Sequence, residues 1–221
     1  MSRPAAERRE ALISLYREVQ ACKLCPLHET RTQAVFGNGN ADADLMFVGE
    51  APGMHEDQQG IPFVGRAGQL LDELLREVGL SREEVFVCNV LKSRPPGNRD
   101  PQPEEILTCR PYLDKQVELI EPRVICTLGN FATKLLTRSQ RGITSVRGKP
   151  QEHQIGGRPV RIYPILHPAA ALRTPKVKDQ LREDFSRLPS LLAEALPGEQ
   201  SPPARDLPEE KPRADQLGLF G

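Results

Sequence analysis

The stretch DLMFVGEAPG, residues 44–53, decides the fold. Its first half is a short apolar run without alternation, the pattern of a strand buried on both faces of a parallel sheet. Its second half breaks into a Gly- and Pro-rich turn, so Gly49 marks the carboxyl end of a strand. Glu50, Ala51 and Gly53 then belong to the loop beyond it, where ligands bind in open parallel sheets.

The same form recurs at VFVCNVL (85–91), RVICTL (123–128) and RIYPIL (161–166). Helical patterns fill the intervals. Residues 65–78 place Leu70, Leu71, Leu74, Leu75 and Val78 on one face, with Gly79 at the exit. Residues 103–120 begin with Pro103, and Glu104 and Glu105 sit near the positive end of the helix dipole. Shorter helices are predicted over 130–136 and 179–192, and an amphipathic one over 5–20 leads into Cys22. Four short strands alternating with helices predict an α/β fold, a three-layer α/β/α sandwich around a central four-stranded parallel sheet. Glu50, Asn89 and His167 then share one rim.

At 221 residues the chain supports one buried α/β domain and a tail. Residues 1–196 form the expected domain, 197–215 a polar, proline-rich linker, and 216–221 an apolar end. Thirty basic and thirty acidic residues cancel, so any nucleic-acid site must be a local patch. No stretch has the length and apolarity of a membrane span, and the N-terminus lacks an apolar leader, which predicts a cytosolic protein. Five cysteines, in a reducing compartment, read as metal ligands or small buried hydrophobes.

Four residue types on the rim suggest chemistry. Gly49 and Gly53 permit close approach of backbone to a ligand. Phe63, between the turn residues of PFVG, suits a pocket wall that stacks on a planar base. Asn89 interrupts an apolar strand, and its carboxamide offers a donor and an acceptor to the amide-like edge of a pyrimidine. His167 precedes Pro168 at a strand end. Each alone has an ordinary structural explanation; their common edge favours a site.

The ordered blocks CKLCPL, VGEAPG, GIPFVGRAGQLLDELL, RPPGNRDPQPEEI, CRPYL and HPAA resemble the iron–sulfur type of uracil-DNA glycosylase, family 4, over roughly residues 22–185. The resemblance implies excision of uracil from DNA by hydrolysis of its N-glycosidic bond, with the nucleotide turned out of the helix. It assigns Phe63 to stacking, Asn89 to the Watson–Crick edge, and Gly49, Glu50 and Ala51 to the pocket lining. Glu56 stands where the family crowds a pyrimidine methyl group, and His167 would donate to the departing base. In another glycosylase family an Asp stands where Ala51 stands here, so water positioning falls to Glu50 or Asn89. Arg94, Arg99, Arg110 and Arg173 are candidate DNA contacts, and Leu172 a wedge for the gap left by the base. A crosslinking relative uses a histidine-bearing KRRIH-type loop; RPPGNRDP has no histidine, which favours turnover over trapping. An iron–sulfur DNA-binding module without catalysis is the alternative.

The same resemblance implies a 4Fe-4S cluster held by Cys22, Cys25 and Cys109, with Ser93 where the family carries its remaining cysteine. Ser93 or water would take the fourth place. A CxxC with a distant cysteine also fits zinc. Cys88 and Cys126 read as buried thiols. The terminal QLGLF resembles the bacterial sliding-clamp binding motif, with Gln216 as polar anchor and Leu217, Leu219 and Phe220 as pocket fillers. A monomer that works at the nucleoid is the expected state.

Overall fold

A computed structural model describes residues 4–194. In chain order the elements are α1 (Ala5–Ala21), α2 (Leu27–Thr30), β1 (Asn38–Gly39), β2 (Leu45–Gly49), α3 (Met54–Gln59), α4 (Arg66–Glu77) and β3 (Phe86–Asn89). They continue with α5 (Pro103–Ile120), β4 (Val124–Leu128), α6 (Gly129–Thr137), α7 (Ile143–Val146), β5 (Gln151–Ile155) and β6 (Arg158–Ile165). The last three are α8 (Pro168–Ala171), α9 (Pro175–Phe185) and α10 (Leu188–Ala193). No helix among the described residues is long and apolar enough to cross a membrane. The linker of 197–215 and the QLGLF end lie outside the described residues.

The sheet is mixed and six-stranded, in the order β1-β3-β2-β4-β6-β5. The four strands expected from sequence form its centre and run parallel. The expectation of a purely four-stranded parallel sheet is corrected by two antiparallel edge strands, β1 and β5. β1 is only two residues long, and β5 (QEHQI) is largely polar, so neither carries an apolar run. β5 joins β6 through Gly156 and Gly157, whose φ values of 58° and 76° give the left-handed pair of a tight hairpin turn.

Strand residues alternate between two cores. Leu45 and Phe47 face α4, α9 and α10, whereas Met46 and Val48 face α1 and α5. Both sets are buried, which is why the strands read as continuous apolar runs. The predicted closing helix is two helices. Pro189, in the first turn of α10, cannot supply the N–H that would extend the α9 ladder.

This topology positions the site. β2 ends at Gly49, in register with Asn89 at the end of β3. β4 ends at Leu128, beside Gly129, and β6 ends two residues before His167. Four loops therefore open on one edge.

Candidate active site

A cavity of about 460 Å³ opens at this edge, lined by Glu50, Ala51, Gly53, Glu56, Phe63, Asn89 and His167 among others. Gly49 lies behind it. A Cβ there would overlap the Asn89 amide oxygen and come within 2.9 Å of the Phe63 ring, so only glycine lets the two groups stand where they do.

Phe63 has φ 56°, an uncommon backbone for a bulky residue, and is buried. The strain is held from two sides. Gly68 leaves no room for a side chain against the Phe63 carbonyl. The Glu56 carboxylate accepts the N–H groups of Val64 at 3.1 Å and Gly65 at 3.2 Å, and that of Gly53 at 3.1 Å. Glu56 thus ties the GEAPG loop to the PFVG loop while lining the cavity.

Asn89 is 2 % exposed, yet its carboxamide has no hydrogen bond to another described residue. Its backbone carbonyl accepts from Lys92 Nζ at 2.7 Å. Lys92 is itself buried, donates to Gln116 Oε1 at 2.6 Å, and Gln116 Nε2 in turn donates to the Phe36 carbonyl at 2.9 Å. The strand end is pinned and the side chain is left for the cavity. Sequence reading missed Lys92 and Gln116, because neither a polar residue at the start of a Pro-rich loop nor one within a helix carries a mark of burial.

His167 caps α8: its Nδ1 accepts the N–H of Ala169 at 3.1 Å. The neutral ring must then carry its proton on Nε2. Burial in the cleft lowers its pKa to about 4, against a smaller raising effect of the Glu56 charge. His167 is therefore a neutral donor at neutral pH. Glu50 is pushed above the usual carboxylate range, first by burial and then by Asp100, a residue that sequence reading also passed over.

A larger cavity of about 860 Å³ meets the first at Glu50 and His167, with Asp100 on its wall. Around the two, Arg94 Nε donates to Asn98 Oδ1 at 2.6 Å, and Arg99 holds Glu105 through two nitrogens at 3.0 and 2.5 Å. Arg110 pairs with Asp114 at 2.7 Å. Three of the four expected DNA contacts are thus engaged within the chain. Arg173 is exposed and has no hydrogen bond or ion pair among the described residues, and Leu172 beside it is 36 % exposed.

The family model for the Uracil DNA glycosylase superfamily matches residues 36–188. The chain belongs to that superfamily. It is 45 % identical to a Type-4 uracil-DNA glycosylase of Archaeoglobus fulgidus over 192 residues, 85 % of this chain and 96 % of that protein. It is similar also to Type-4 uracil-DNA glycosylases of Saccharolobus solfataricus, at 47 % identity over 80 % of this chain and 84 % of that one, and of Thermotoga maritima, at 48 % over 75 % and 85 %.

In this member of the superfamily Cys22 and Cys25 lie past the end of α1 and Cys109 on α5. Burial raises the pKa of Cys109, a hydrogen bond from the Lys92 backbone opposes this, and the charges of Cys25 and Cys22 add to it. The three thiols are close enough to sense one another. Burial, and then the neighbouring Cys22, raise the pKa of the Tyr112 hydroxyl. Ser93 is buried, and its Oγ accepts from Arg31 Nη1 at 3.0 Å, while Arg31 Nη2 donates to the Gln20 carbonyl at 2.9 Å. No three His, Cys, Asp or Glu side chains among the described residues converge on a single metal ion. Cys88 and Cys126 are wholly buried, one in each core.

Proposed function

We propose that this protein is a monofunctional DNA-repair glycosylase that excises uracil and leaves an abasic site. The observation that carries this reading is the Asn89 carboxamide, nearly enclosed, without a partner among the described residues, and lining the cavity of about 460 Å³ beside Phe63. Its amide atoms open on the cavity and are not sealed in the core, so a base edge that enters can take up both the donor and the acceptor. The relatives named Type-4 uracil-DNA glycosylase support uracil as that ligand.

In this reading Phe63 stacks on the extruded uracil, Asn89 pairs with its amide-like edge, and Ala51 and the Gly49 backbone close the pocket floor. Glu56 crowds the position of a thymine methyl group. The bond between the sugar C1′ and the base nitrogen breaks, and its electron pair leaves with the uracil. The Nε2–H of His167 stabilises the charge that develops on the uracil carbonyl, an interaction strongest in the transition state. Water adds to C1′ of the oxocarbenium-like sugar; Glu50 orients it and receives its proton, which then passes to the uracil anion. Leu172 fills the space vacated by the base, and Arg94, Arg99 and Arg173 are the proposed contacts to the DNA backbone.

The donor set of the cysteine corner, three mutually interacting thiols with a hydroxyl, fits an iron–sulfur cluster whose fourth ligand is oxygen. Cys22, Cys25, Cys109 and Ser93 would hold it, and it would supply a rigid tie between the end of α1 and the loop before α5. The C-terminal QLGLF, Gln216, Leu217, Leu219 and Phe220 above all, is proposed to dock on a bacterial sliding clamp, with 197–215 as tether to a monomeric domain of residues 1–196. Action at the nucleoid of the cytoplasm follows from such partners.

The test is strand scission in alkali after the purified protein is incubated with a labelled oligonucleotide containing one uracil. Cleavage at uracil, and none in a thymine control, is expected. An intact oligonucleotide with an iron-loaded protein would overturn the enzyme reading.

A further inference from the structure

The larger cavity of about 860 Å³ is not explained by a single base. It adjoins the base pocket at Glu50 and His167, and its opposite wall is α6. That helix starts at Gly129, whose missing Cβ would come within 3.0 Å of the His167 Cβ, so its first turn touches the catalytic rim. Asn130 and Lys134 follow one turn apart. Arg138 closes the helix at its C-cap with φ 52°, a left-handed conformation that turns the chain. All three line the cavity.

Neither Lys134 nor Arg138 has a hydrogen bond or ion pair with another described residue. Most arginines around them do, as Arg99, Arg110 and Arg147 show. Like charges four residues apart on a helix repel. The negative end of the helix dipole offsets part of this, but it does not account for both cations facing one cavity. The carboxylates of this cavity, Glu50 and Asp100, are not on α6: Glu50 follows β2 and is shared with the base pocket, and Asp100 is in the loop before α5. Lys134 is five residues past Gly129, about 7.5 Å along the helix axis from the catalytic rim at 1.5 Å per residue.

Resting on the glycosylase reading, we infer that this groove binds the sugar–phosphate backbone of the uracil-bearing strand next to the extruded nucleotide, with Lys134 and Arg138 on its phosphates. The charge layout fits that occupant. Glu50 stands at the mouth of the base pocket, where positive charge develops on the sugar, and the cations stand further along the groove on α6, where neighbouring phosphates must run. A strand held at this distance fixes the C1′ atom between His167 and Glu50.

The test uses the full chain and a single-stranded oligonucleotide with one 2′-fluoro-2′-deoxyuridine, which resists hydrolysis. Affinity is measured across salt concentrations for wild type and for Lys134→Gln/Arg138→Asn, asparagine being chosen because it tolerates the left-handed backbone. Each lost phosphate contact should lower the slope of log affinity against log salt by about 0.7, so the double variant should lose about 1.4 and bind about tenfold more weakly at low salt. Arg17→Ala, an exposed cation on α1, should leave the slope unchanged. Lys134→Arg/Arg138→Lys should retain it. An unchanged slope in the neutral double variant, or an equal loss in the charge-preserving one, overturns the groove assignment. A wild-type protein that fails to cleave uracil-containing DNA would strike the glycosylase reading instead.

Discussion

Phe63 and His167 lie with ring centroids 5.7 Å apart and planes inclined by 26°. A flat base held between two rings needs about 7 Å, two contacts of about 3.5 Å each. The pair leaves no such slot, so a base that stacks on Phe63 meets the imidazole at its edge. That is the approach a hydrogen-bond donor requires, and it fits the proton placed on Nε2 by the Ala169 contact.

His167→Ala should therefore slow single-turnover excision by about 100- to 1000-fold, the usual cost of removing one donor aimed at developing charge. Affinity for uracil-containing DNA should change little. Equal excision rates in the two proteins would refute the assigned role.

The pH dependence should lack the inflection near 6.5 that an ordinary histidine gives. With its pKa at about 4, His167 remains a neutral donor down to mildly acidic conditions. The rate should be flat through pH 6.5 and fall only on approach to 4. Glu50, raised by burial, should start that fall above the ordinary carboxylate range, and Glu50→Gln should remove its share. The stability sign follows from proton counts. Between pH 6.5 and about 4 the unfolded chain binds a proton at His167 that the folded chain does not, so stability drops as pH falls through this window. Melting curves of His167→Ala should show a shallower acid dependence.

Gly49→Ala places a methyl group against the Asn89 amide and the Phe63 ring. Over-packing of this kind costs about 1–3 kcal/mol. Denaturant titration should register that loss, and excision should fall by at least tenfold because both pocket groups are displaced. Unaltered excision would show that the pocket tolerates movement of Asn89.

Much of this architecture was legible in the sequence, and the reason is burial. The central strands are enclosed on both faces, so their apolar runs announce themselves, whereas β1 and β5 lie at the edges and the polar residues of QEHQI carry no such signal. Glu50, Asn89 and His167 could be placed on one rim because each follows or ends a strand. The partners that orient them could not. Lys92 and Gln116 are polar residues whose burial depends on α5 packing against the sheet, and Asp100 meets Glu50 only through the fold. The surroundings of Arg99 and Arg110 were hidden in the same way: charge in a sequence does not reveal the carboxylates, Glu105 and Asp114, that pair with them.

Ser93→Cys should restore a fourth thiol to the cysteine corner. Iron per chain after anaerobic reconstitution should rise, and its loss to a chelator should slow by several-fold, with a matching gain in melting temperature. Equal iron retention would mean that the hydroxyl held by Arg31 is already an adequate ligand or that the corner binds no iron.

Removal of residues 216–221 should abolish association with a bacterial sliding clamp while excision from short oligonucleotides continues. Clamp binding that survives the deletion would refute the QLGLF assignment.

The left-handed backbone of Phe63 has a further consequence for protein engineering. Strain of this kind amounts to about 1–3 kcal/mol, a large fraction of the 5–15 kcal/mol that keeps an ordinary protein folded. Phe63→Asn or Phe63→Gly would relieve it and erase the stacking face in the same step. A library screened for heat survival alone would therefore enrich chains that endure and no longer repair. Only a screen in which every survivor must also remove a base would keep position 63 aromatic.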